Sequence, residues 1–174
     1  MTLMFDVFLP DGIFDNIYKL TPDYLAGKGI RALILDIDNT LVTYDDPKPT
    51  DSVTAWLDSL HAAGISTAFV SNNHAERVGC FCEGLGCYYH SDAHKPSRRY
   101  MLEAMEHMGT DINNTAAVGD QLFTDVWAAK RCKMRSFLVP PIKDKRTPFF
   151  RFKRMLEKPF LRLYYRQNKG ETNI

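Results

Sequence analysis

The feature of this sequence that most constrains its fold is a regular alternation, from about residue 31 onward, of short apolar runs and longer amphipathic stretches. The short runs predict buried strands over residues 32–36, 67–72, 87–92, 115–120 and 135–141. The amphipathic stretches predict helices over residues 51–63, 75–85, 97–108 and 124–132. Because strands that alternate with helices are typical of βαβ units, the pattern predicts an α/β fold with a five-stranded parallel sheet.

The length of 174 residues suits one domain, which is flanked here by two segments of different composition. We assign residues 1–30 to an N-terminal lead-in, residues 31–142 to the α/β core and residues 143–174 to a C-terminal tail. Proline and glycine residues recur along the lead-in and predict irregular or helical structure there. The N-terminus lacks the basic region of a secretory signal peptide, and no apolar run approaches the roughly 18 residues of a membrane-spanning helix. These features predict a cytoplasmic protein.

The C-terminal tail is strongly basic, although the whole chain has a formal net charge of only +1. Residues 143–169 carry ten Lys or Arg residues against Asp144 and Glu157, a net charge of +8. Aromatic and aliphatic residues interleave with these bases in residues 149–166, a composition typical of segments that lie on anionic lipid. The tail therefore predicts a peripheral contact with the inner face of the membrane through residues 143–169.

Two other interpretations of the tail remain open. The apolar residues that can share one stripe of a helix are Phe149, Phe152, Leu156, Leu163 and Tyr164. That stripe can pack on the protein's own domain and leave the basic face in water. Bases and aromatics also suit RNA, but no RNA-binding motif accompanies them. Within the stripe, Pro159 predicts a break that leaves two short helices.

Polar residues lie at the carboxyl ends of three predicted strands. Asp36 and Asp38 lie at the end of the first strand, Ser71 at the end of the second and Asp120 at the end of the fourth. Ligands bind outside the carboxyl ends of the strands in open parallel sheets, so we expect these side chains to converge on one crevice. Two carboxylates this close repel unless a cation joins them, and Mg²⁺ prefers carboxylates together with phosphate oxygens and water. The sequence thus predicts Mg²⁺ as cofactor and a phosphorylated substrate.

The loop after the first strand supplies a candidate nucleophile. A carboxylate such as Asp36 can split phosphoryl transfer into two easier steps by forming an aspartyl-phosphate. Lys95 and Ser71 can hold the phosphoryl oxygens and stabilise the charge that builds on them. The loop itself, with Asn39 and Thr40, can bind phosphate through its backbone amides. These residues predict phosphoryl chemistry at the edge of the sheet.

Four short motifs occur in order along the chain: DIDNT at residues 36–40, SNN at 71–73, KP at 95–96 and GDQLFTD at 119–125. Together they resemble the four motifs of the haloacid dehalogenase-like (HAD) superfamily. The resemblance implies a Rossmannoid three-layer α/β sandwich and an Mg²⁺-dependent hydrolase that works through a covalent intermediate. A carboxyl at position 38, two residues after the nucleophile, is similar to the phosphatase branch, because it can protonate the leaving alkoxide and later activate water.

The resemblance also implies a role for each matching residue. Asp36 would be the nucleophile, Asp38 the general acid and then base, and Lys95 the cation that neutralises nucleophile and phosphate. The metal would bind Asp36, Asp38 and Asp120, and Asp125 would support the metal site or Lys95. Phosphate contacts would come from Thr40, Ser71, Asn72 and Lys95.

The spacing of the motifs leaves no room for a cap domain. About ten residues separate Leu41 from the next predicted helix, and 23 lie between Ser71 and Lys95. Caps enclose small metabolites in HAD-like enzymes. A chain without a cap resembles the uncapped subclass IIIA, whose open site suits large substrates. The run LAGKGIRALILDIDNTLV, with SNN and VGDQLFTDV, is similar to the YqeG family and its phosphatidylglycerophosphate phosphatase branch. The implied substrate is a lipid head group, and the implied product is phosphatidylglycerol.

Two alternatives to this substrate stay open. The same Asp36 chemistry can serve a phosphatase for another bulky phosphate or a nucleotide. The chain can also be a binding module whose basic tail docks on RNA, a ribosome or a membrane with little catalysis.

Overall fold

The computed structural model describes residues 6–143 and 147–168, apart from the side chain of Phe149. Within these residues six strands form one parallel sheet: β1 Gly12–Ile13, β2 Ala32–Leu35, β3 Ser66–Val70, β4 Tyr88–His90, β5 Thr115–Gly119 and β6 Arg135–Leu138. The helices are α1 Pro22–Gly27, α2 Asp51–Ala62, α3 Ala75–Cys82, α4 Arg99–Met108, α5 Trp127–Arg131 and α6 Pro148–Gln167. The strand order is β1-β6-β5-β2-β3-β4, and every pairing is parallel.

The sheet is sandwiched between helices, which confirms the predicted three-layer α/β fold. All four residues of β2 are buried, because the strand lies in the middle of the sheet with helices on both faces. Leu33 and Leu35 pack with residues of α2 and α3 on one face, and Ile34 packs with residues of α4 and α5 on the other. Burial of a side chain of this size contributes about 1.5–3 kcal/mol. In the described part of the chain no cap domain covers the carboxyl edge of the sheet.

The prediction of five strands was wrong, because the lead-in contributes a sixth at the edge of the sheet. Gly12 pairs with Phe137 and Ile13 with Leu138. A side chain at position 12 would come within 2.9 Å of the Phe14 ring, so the close approach requires glycine. Asp11 secures this edge by accepting the backbone N–H of Ser136 at 2.8 Å. Two residues are too few to show the alternation from which a strand is predicted.

Two helix boundaries differ from the prediction by more than two residues. α3 ends at Cys82, short of the predicted end at residue 85, since the backbone becomes extended at Glu83 and left-handed at Gly84, where φ is +80°. The helix predicted from residue 124 begins as a π-helical turn over Leu122–Val126 and becomes α-helical only in α5. Such turns are frequent at functional sites, and this one lies directly after β5.

The C-terminal helix α6 is continuous, so the predicted break at Pro159 was wrong. Pro159 lies on the exposed side of the helix, whereas Glu157 and Tyr164 are buried on either side of it and hold both halves against the domain. Phe160 and Leu161 pack against the cluster of Leu122, Val126 and Leu138. Tertiary packing thus outweighs the loss of one backbone hydrogen bond. Among the described residues, no helix combines the length and the apolar character needed to cross a bilayer.

Candidate active site

The carboxyl edge of the sheet brings the predicted site residues together. Asp36 follows β2, Ser71 follows β3 and Asp120 follows β5, as the sequence predicted. The backbone N–H of Asp36 donates to the carbonyl of Val118 at 3.0 Å and continues the pairing of β2 with β5 by one residue. Since β2 has β5 on one side and β3 on the other, the side chains that follow these three strands lie around one crevice.

The turn after β2 aims its polar side chains at that crevice. Asn39 adopts a left-handed conformation with φ of +66°, which asparagine tolerates better than most residues. The N–H groups of Thr40 and Leu41 return to the carbonyl of Ile37 at 3.2 and 2.9 Å and close the turn. The Thr40 hydroxyl donates to Asp36 Oδ2 at 3.1 Å. The turn therefore fixes the orientation of the Asp36 carboxylate.

Lys95 is the buried cation of the site. Its Nζ donates at 2.7 Å to each of three oxygens, those of Asp36 Oδ1, Asp125 Oδ1 and the Val70 carbonyl. Its backbone N–H donates to Asn72 Oδ1 at 2.6 Å, and Asn72 Nδ2 donates to the Lys95 carbonyl at 3.2 Å. Burial would lower the pKa of Lys95, but the carboxylates of Asp125 and Asp36 outweigh it and raise that pKa. Lys95 is therefore a permanent positive charge beside Asp36.

The electrostatics of Asp36 are dominated by its burial. Burial raises its pKa to about 6, with Lys95 opposing the rise and Asp125 adding to it. Asp125 is itself buried and accepts from Lys95 on Oδ1 and from the Gln121 N–H on Oδ2, at 2.7 and 3.1 Å. A side chain at Gly119 would come within 2.2 Å of the Asp125 carboxyl carbon, so this glycine makes room for it. Asp125 thus shares the Lys95 ammonium with Asp36 and helps to orient it.

Asp38 is held by two residues that sequence reasoning missed. Arg77 donates to Asp38 Oδ1 through Nε at 3.1 Å and Nη2 at 3.0 Å. Asn73 Nδ2 donates to Asp38 Oδ2 at 2.8 Å. Arg77 belongs to the first turn of α3, and its place shortly after the SNN motif was the signal that could have pointed to it. These contacts keep the Asp38 side chain apart from the carboxyl cluster described next.

Three carboxyl groups form a cluster that suits a hard divalent cation. One oxygen from each of Asp36, Asp120 and Asp125 lies within 4.8 Å of the others. Burial raises the pKa of Asp120 to about 7, helped by Asp125 and Asp36 and opposed by Arg154. Asp120 Oδ1 is buried and meets no hydrogen-bond partner among the described residues. Such an oxygen carries a desolvation cost that a bound cation would remove, so the donor set fits Mg²⁺.

Helix α6 reaches into the site, which the sequence did not predict. Arg154 Nη2 contacts Asp120 Oδ2, and Nη1 donates to the Asp120 carbonyl at 2.5 Å and to Glu157 Oε2 at 2.8 Å. Glu157 is only 2% exposed and accepts the N–H of Leu122 at 2.9 Å. Burial would lower the pKa of Arg154, but Asp120 and Glu157 outweigh it and raise that pKa. α6 is therefore anchored to the π-helical turn and to a predicted metal ligand.

A cavity of about 270 Å³ opens above these groups. The lining residues are Asp36, Asp38, Tyr44, Ser71, Asn72, Asn73, Lys95, Gln121, Thr124, Asp125, Phe150 and Lys153, of which the last two belong to α6. Burial raises the pKa of Tyr44, with the nearby carboxylates adding to the effect, so its hydroxyl stays protonated. The cavity thus joins a carboxylate, a buried ammonium and hydroxyl donors, an arrangement suited to phosphoryl transfer.

Comparison with known proteins supports this chemistry. The family model of the haloacid dehalogenase-like hydrolases matches residues 25–133. The chain is 34% identical over 154 residues to the probable phosphatase YqeG of Bacillus subtilis (strain 168), with 88% of this chain and 90% of that protein covered. Both matches agree with the resemblance inferred from the four motifs.

Solved structures share the fold at low sequence identity. The cobalt-bound deoxy-D-mannose-octulosonate 8-phosphate phosphatase YrbI of Haemophilus influenzae is 16% identical, with a TM-score of 0.52 over 83% of this chain and 95% of that one. CbbY of Rhodobacter sphaeroides, in complex with xylulose-(1,5)bisphosphate, is 12% identical, with a TM-score of 0.54 over 69% and 90%.

Proposed function

The chain belongs to the haloacid dehalogenase-like hydrolases, as a phosphatase, and we propose that it removes the terminal phosphate of phosphatidylglycerophosphate to leave phosphatidylglycerol. The observation that carries the catalytic part of this proposal is the buried contact of Lys95 with Asp36, 2.7 Å long, at the floor of the cavity. A carboxylate beside a permanent positive charge can approach a phosphate dianion that it would otherwise repel.

We propose two chemical steps on Asp36. A carboxylate oxygen of Asp36 attacks phosphorus, the bond to the glycerol oxygen breaks, and Asp38 gives that oxygen a proton. A water molecule then attacks the aspartyl-phosphate, Asp38 takes up its proton, and inorganic phosphate leaves with Asp36 restored. Ser71 and Asn72 line the cavity beside Lys95, where they would contact the phosphoryl oxygens, while Thr40 holds the nucleophile.

Mg²⁺ is the cofactor that this site supports best. Asp36 and Asp120 would hold it through carboxylate oxygens, Asp120 through the buried Oδ1 described above. Arg77 and Asn73 engage the Asp38 carboxylate, so we assign the Asp38 contribution to its backbone carbonyl. When bound, the ion would neutralise charge on the phosphate and on the carboxyl cluster.

The size of the cavity supports a large substrate that enters only in part. A volume of about 270 Å³ lies just below the range of about 300–1,000 Å³ that is typical of small-molecule pockets. It can receive a phosphorylated head group but not two acyl chains. The substrate's apolar part would therefore remain outside, where an uncapped site leaves space for it.

The outer face of α6 supports a contact with anionic lipid. Phe152 and Met155 are 54% and 53% exposed, and Leu156 is also exposed, on the side of the helix opposite the buried Glu157. The exposed basic residues of the same helix are Arg151, Lys158, Arg162 and Arg166. Apolar side chains flanked by bases are typical of helices that lie in a membrane interface. We propose that this face rests on the inner surface of the membrane, beside the mouth of the cavity that Phe150 and Lys153 line.

The test is phosphate release by the purified protein from phosphatidylglycerophosphate in mixed micelles, with Mg²⁺ or with EDTA. A panel of soluble and nucleotide phosphates is assayed in parallel, with Asp36→Asn as the inactive variant and Asp58→Asn, at an exposed position of α2, as the matched control. We expect turnover that needs Mg²⁺ and Asp36 and favours the lipid. Activity confined to soluble or nucleotide phosphates would reject the substrate, and binding of RNA without any turnover would favour the binding module.

A further inference from the structure

The C-terminal helix α6 reaches the predicted metal ligand Asp120 through the side chain of Arg154. Arg154 Nη2 contacts Asp120 Oδ2, and Arg154 Nη1 donates to the backbone carbonyl of Asp120 at 2.5 Å. Helix α6 begins at Pro148, beyond residues 25–133, which the family model matches. The hold on Asp120 therefore comes from a part of the chain that carries none of the four motifs.

The two contacts restrict the orientation of the Asp120 carboxylate. One guanidinium nitrogen is bonded to the backbone of Asp120 and the other to its side chain, so a rotation of the carboxylate would break the side-chain contact. Oδ2 is thereby occupied, whereas the buried Oδ1 meets no hydrogen-bond partner among the described residues. Asp120 as a whole is 1% exposed. Oδ1 is therefore the oxygen that gains most from a bound cation.

Arg154 is itself held in place by Glu157 of the same helix. Glu157 Oε2 accepts from Arg154 Nη1 at 2.8 Å, and Glu157 Oε1 accepts the Leu122 N–H at 2.9 Å. Leu122 begins the π-helical turn, two residues after Asp120. The Glu157 carboxylate thus balances the charge of Arg154 and ties the arginine to the segment that carries the metal ligand. A ligand whose second oxygen is fixed in this way is prepared for the ion before it arrives.

We propose that Arg154 is a positioning residue of the metal site, which holds Asp120 Oδ2 and so presents Asp120 Oδ1 to a divalent cation. The inference rests on the proposed function, in which Asp120 is a ligand of Mg²⁺. It extends the metal site from the carboxyl edge of the sheet to the C-terminal helix.

The net charge of the site predicts an effect in the opposite direction. Arg154 is a cation beside a cluster of carboxyl groups, so its removal would strengthen the attraction for Mg²⁺ if net charge alone decided the affinity. Positioning predicts weaker binding, because Asp120 Oδ2 loses the donor that fixes the carboxylate. The direction of the change therefore separates the two effects.

The experiment measures binding of Mg²⁺ by the full chain without substrate, from the rise in melting temperature as Mg²⁺ is added to metal-free protein. Arg154→Met removes the contacts with Asp120, and Arg154→Lys keeps the charge without the fork of the guanidinium. Leu161→Ala is the matched control, because it removes apolar packing that also docks α6 and leaves Arg154 in place. Asp120→Asn gives the response of a chain that lacks the ligand itself.

We expect Arg154→Met to raise the apparent Kd for Mg²⁺ by about 10- to 100-fold, the range for the loss of a residue that holds a metal ligand. Arg154→Lys should recover part of this loss, since an ammonium can donate to one oxygen of Asp120 but cannot form the two-point contact. Leu161→Ala should melt at a lower temperature and keep an apparent Kd within about threefold of the wild type.

Wild-type affinity or tighter binding in Arg154→Met would overturn the role of Arg154. An equally large loss of affinity in Leu161→Ala would assign the effect to the docking of α6 as a whole and would overturn it as well. If Mg²⁺ does not raise the melting temperature of the wild type, the metal site fails and the positioning role fails with it. Turnover of phosphatidylglycerophosphate does not enter this measurement, so a rejected lipid substrate would leave the role of Arg154 intact.

Discussion

The cavity lining that follows the strands (the strand side) and the lining that α6 contributes (the α6 side) differ in how the protein holds them. The strand side is attached to the middle of the sheet, where the Lys95 side chain is 3% exposed and bonds three acceptors at 2.7 Å. The α6 side is attached through Arg154, whose side chain is 26% exposed, and through Glu157. Interactions between charges weaken as water approaches them, so the strand side is electrostatically stronger and the α6 side is easier to alter. The residues to which we assign the chemistry thus lie on the more rigid support.

Arg77 and Arg154, which each contact a buried carboxylate, differ in the part of the protein to which they attach it. Arg77 joins Asp38 to backbone carbonyls of the loop that follows β2, namely those of Pro47 and Thr43 at 3.0 and 3.3 Å. Arg154 joins Asp120 to α6. This helix comes after β6 in the sequence and begins beyond residue 143. One arginine therefore consolidates the core, whereas the other docks a peripheral helix on it.

The largest effect is expected on the strand side, from Asp36→Asn. The change is nearly isosteric, and Lys95 keeps its contact with Asp125, so the fold should persist. Turnover should fall by at least about 10⁴-fold, because the nucleophile is gone. Steady-state phosphate release and a melting curve are the measurements, with Asp58→Asn as control. Turnover near the wild-type rate would remove Asp36 from the role of nucleophile.

A smaller loss is expected from Asp38→Asn, which retains an oxygen for Arg77 but cannot exchange a proton. We expect kcat to fall by about 10²- to 10⁴-fold. The loss should be smaller with p-nitrophenyl phosphate, whose leaving group needs little protonation, than with an alkyl phosphate. Equal losses with both leaving groups would mean that Asp38 does not protonate the leaving oxygen.

On the α6 side, Arg154→Met should lower stability in the absence of metal. It leaves the buried Glu157 and Asp120 without the cation they share. Because Arg154 is partly exposed, we expect the free energy of unfolding to fall by about 2 kcal/mol, less than the roughly 3–5 kcal/mol for a fully buried pair. Urea unfolding in EDTA measures this, with Arg162→Met on the exposed side of α6 as control. If Arg154→Met and Arg162→Met lower the free energy of unfolding by the same amount, α6 docks without the Arg154 contact.

The smallest effect is expected at the outer face of α6. Replacing Phe152 and Met155 together by serine should weaken binding to vesicles containing phosphatidylglycerol by about tenfold, since less apolar surface is buried. Turnover of a soluble phosphate should not change. Vesicle sedimentation measures the binding, and Leu102→Ser, at a residue of α4 that is 45% exposed, is the matched control. Equal binding by both variants would place the lipid contact elsewhere.

Much of the fold could be predicted, because its signals are local. The run at residues 32–35 is apolar throughout and is a central strand, and α2 begins after Thr50, whose hydroxyl oxygen accepts the Val53 N–H at 3.3 Å. The predictions failed where tertiary packing outweighed the local preference of the sequence. Pro159 favours a break, yet the buried neighbours Glu157 and Tyr164 keep α6 intact. β1 depends on its partner β6 and on the ion pair of Asp11 with Lys130 at 2.6 Å.

The amino-acid order alone was enough to place Asp36, Asp38, Ser71 and Asp120 at one crevice, because strand and helix periods are short and parallel strands share their carboxyl edge. It could not show that Arg77 reaches Asp38, that Arg154 reaches Asp120, or which face of α6 turns inward. Those contacts join residues more than 30 positions apart, and neither arginine belongs to one of the four motifs. They exist because folding buries charges, and a buried charge must find a partner among whatever the packed chain brings near.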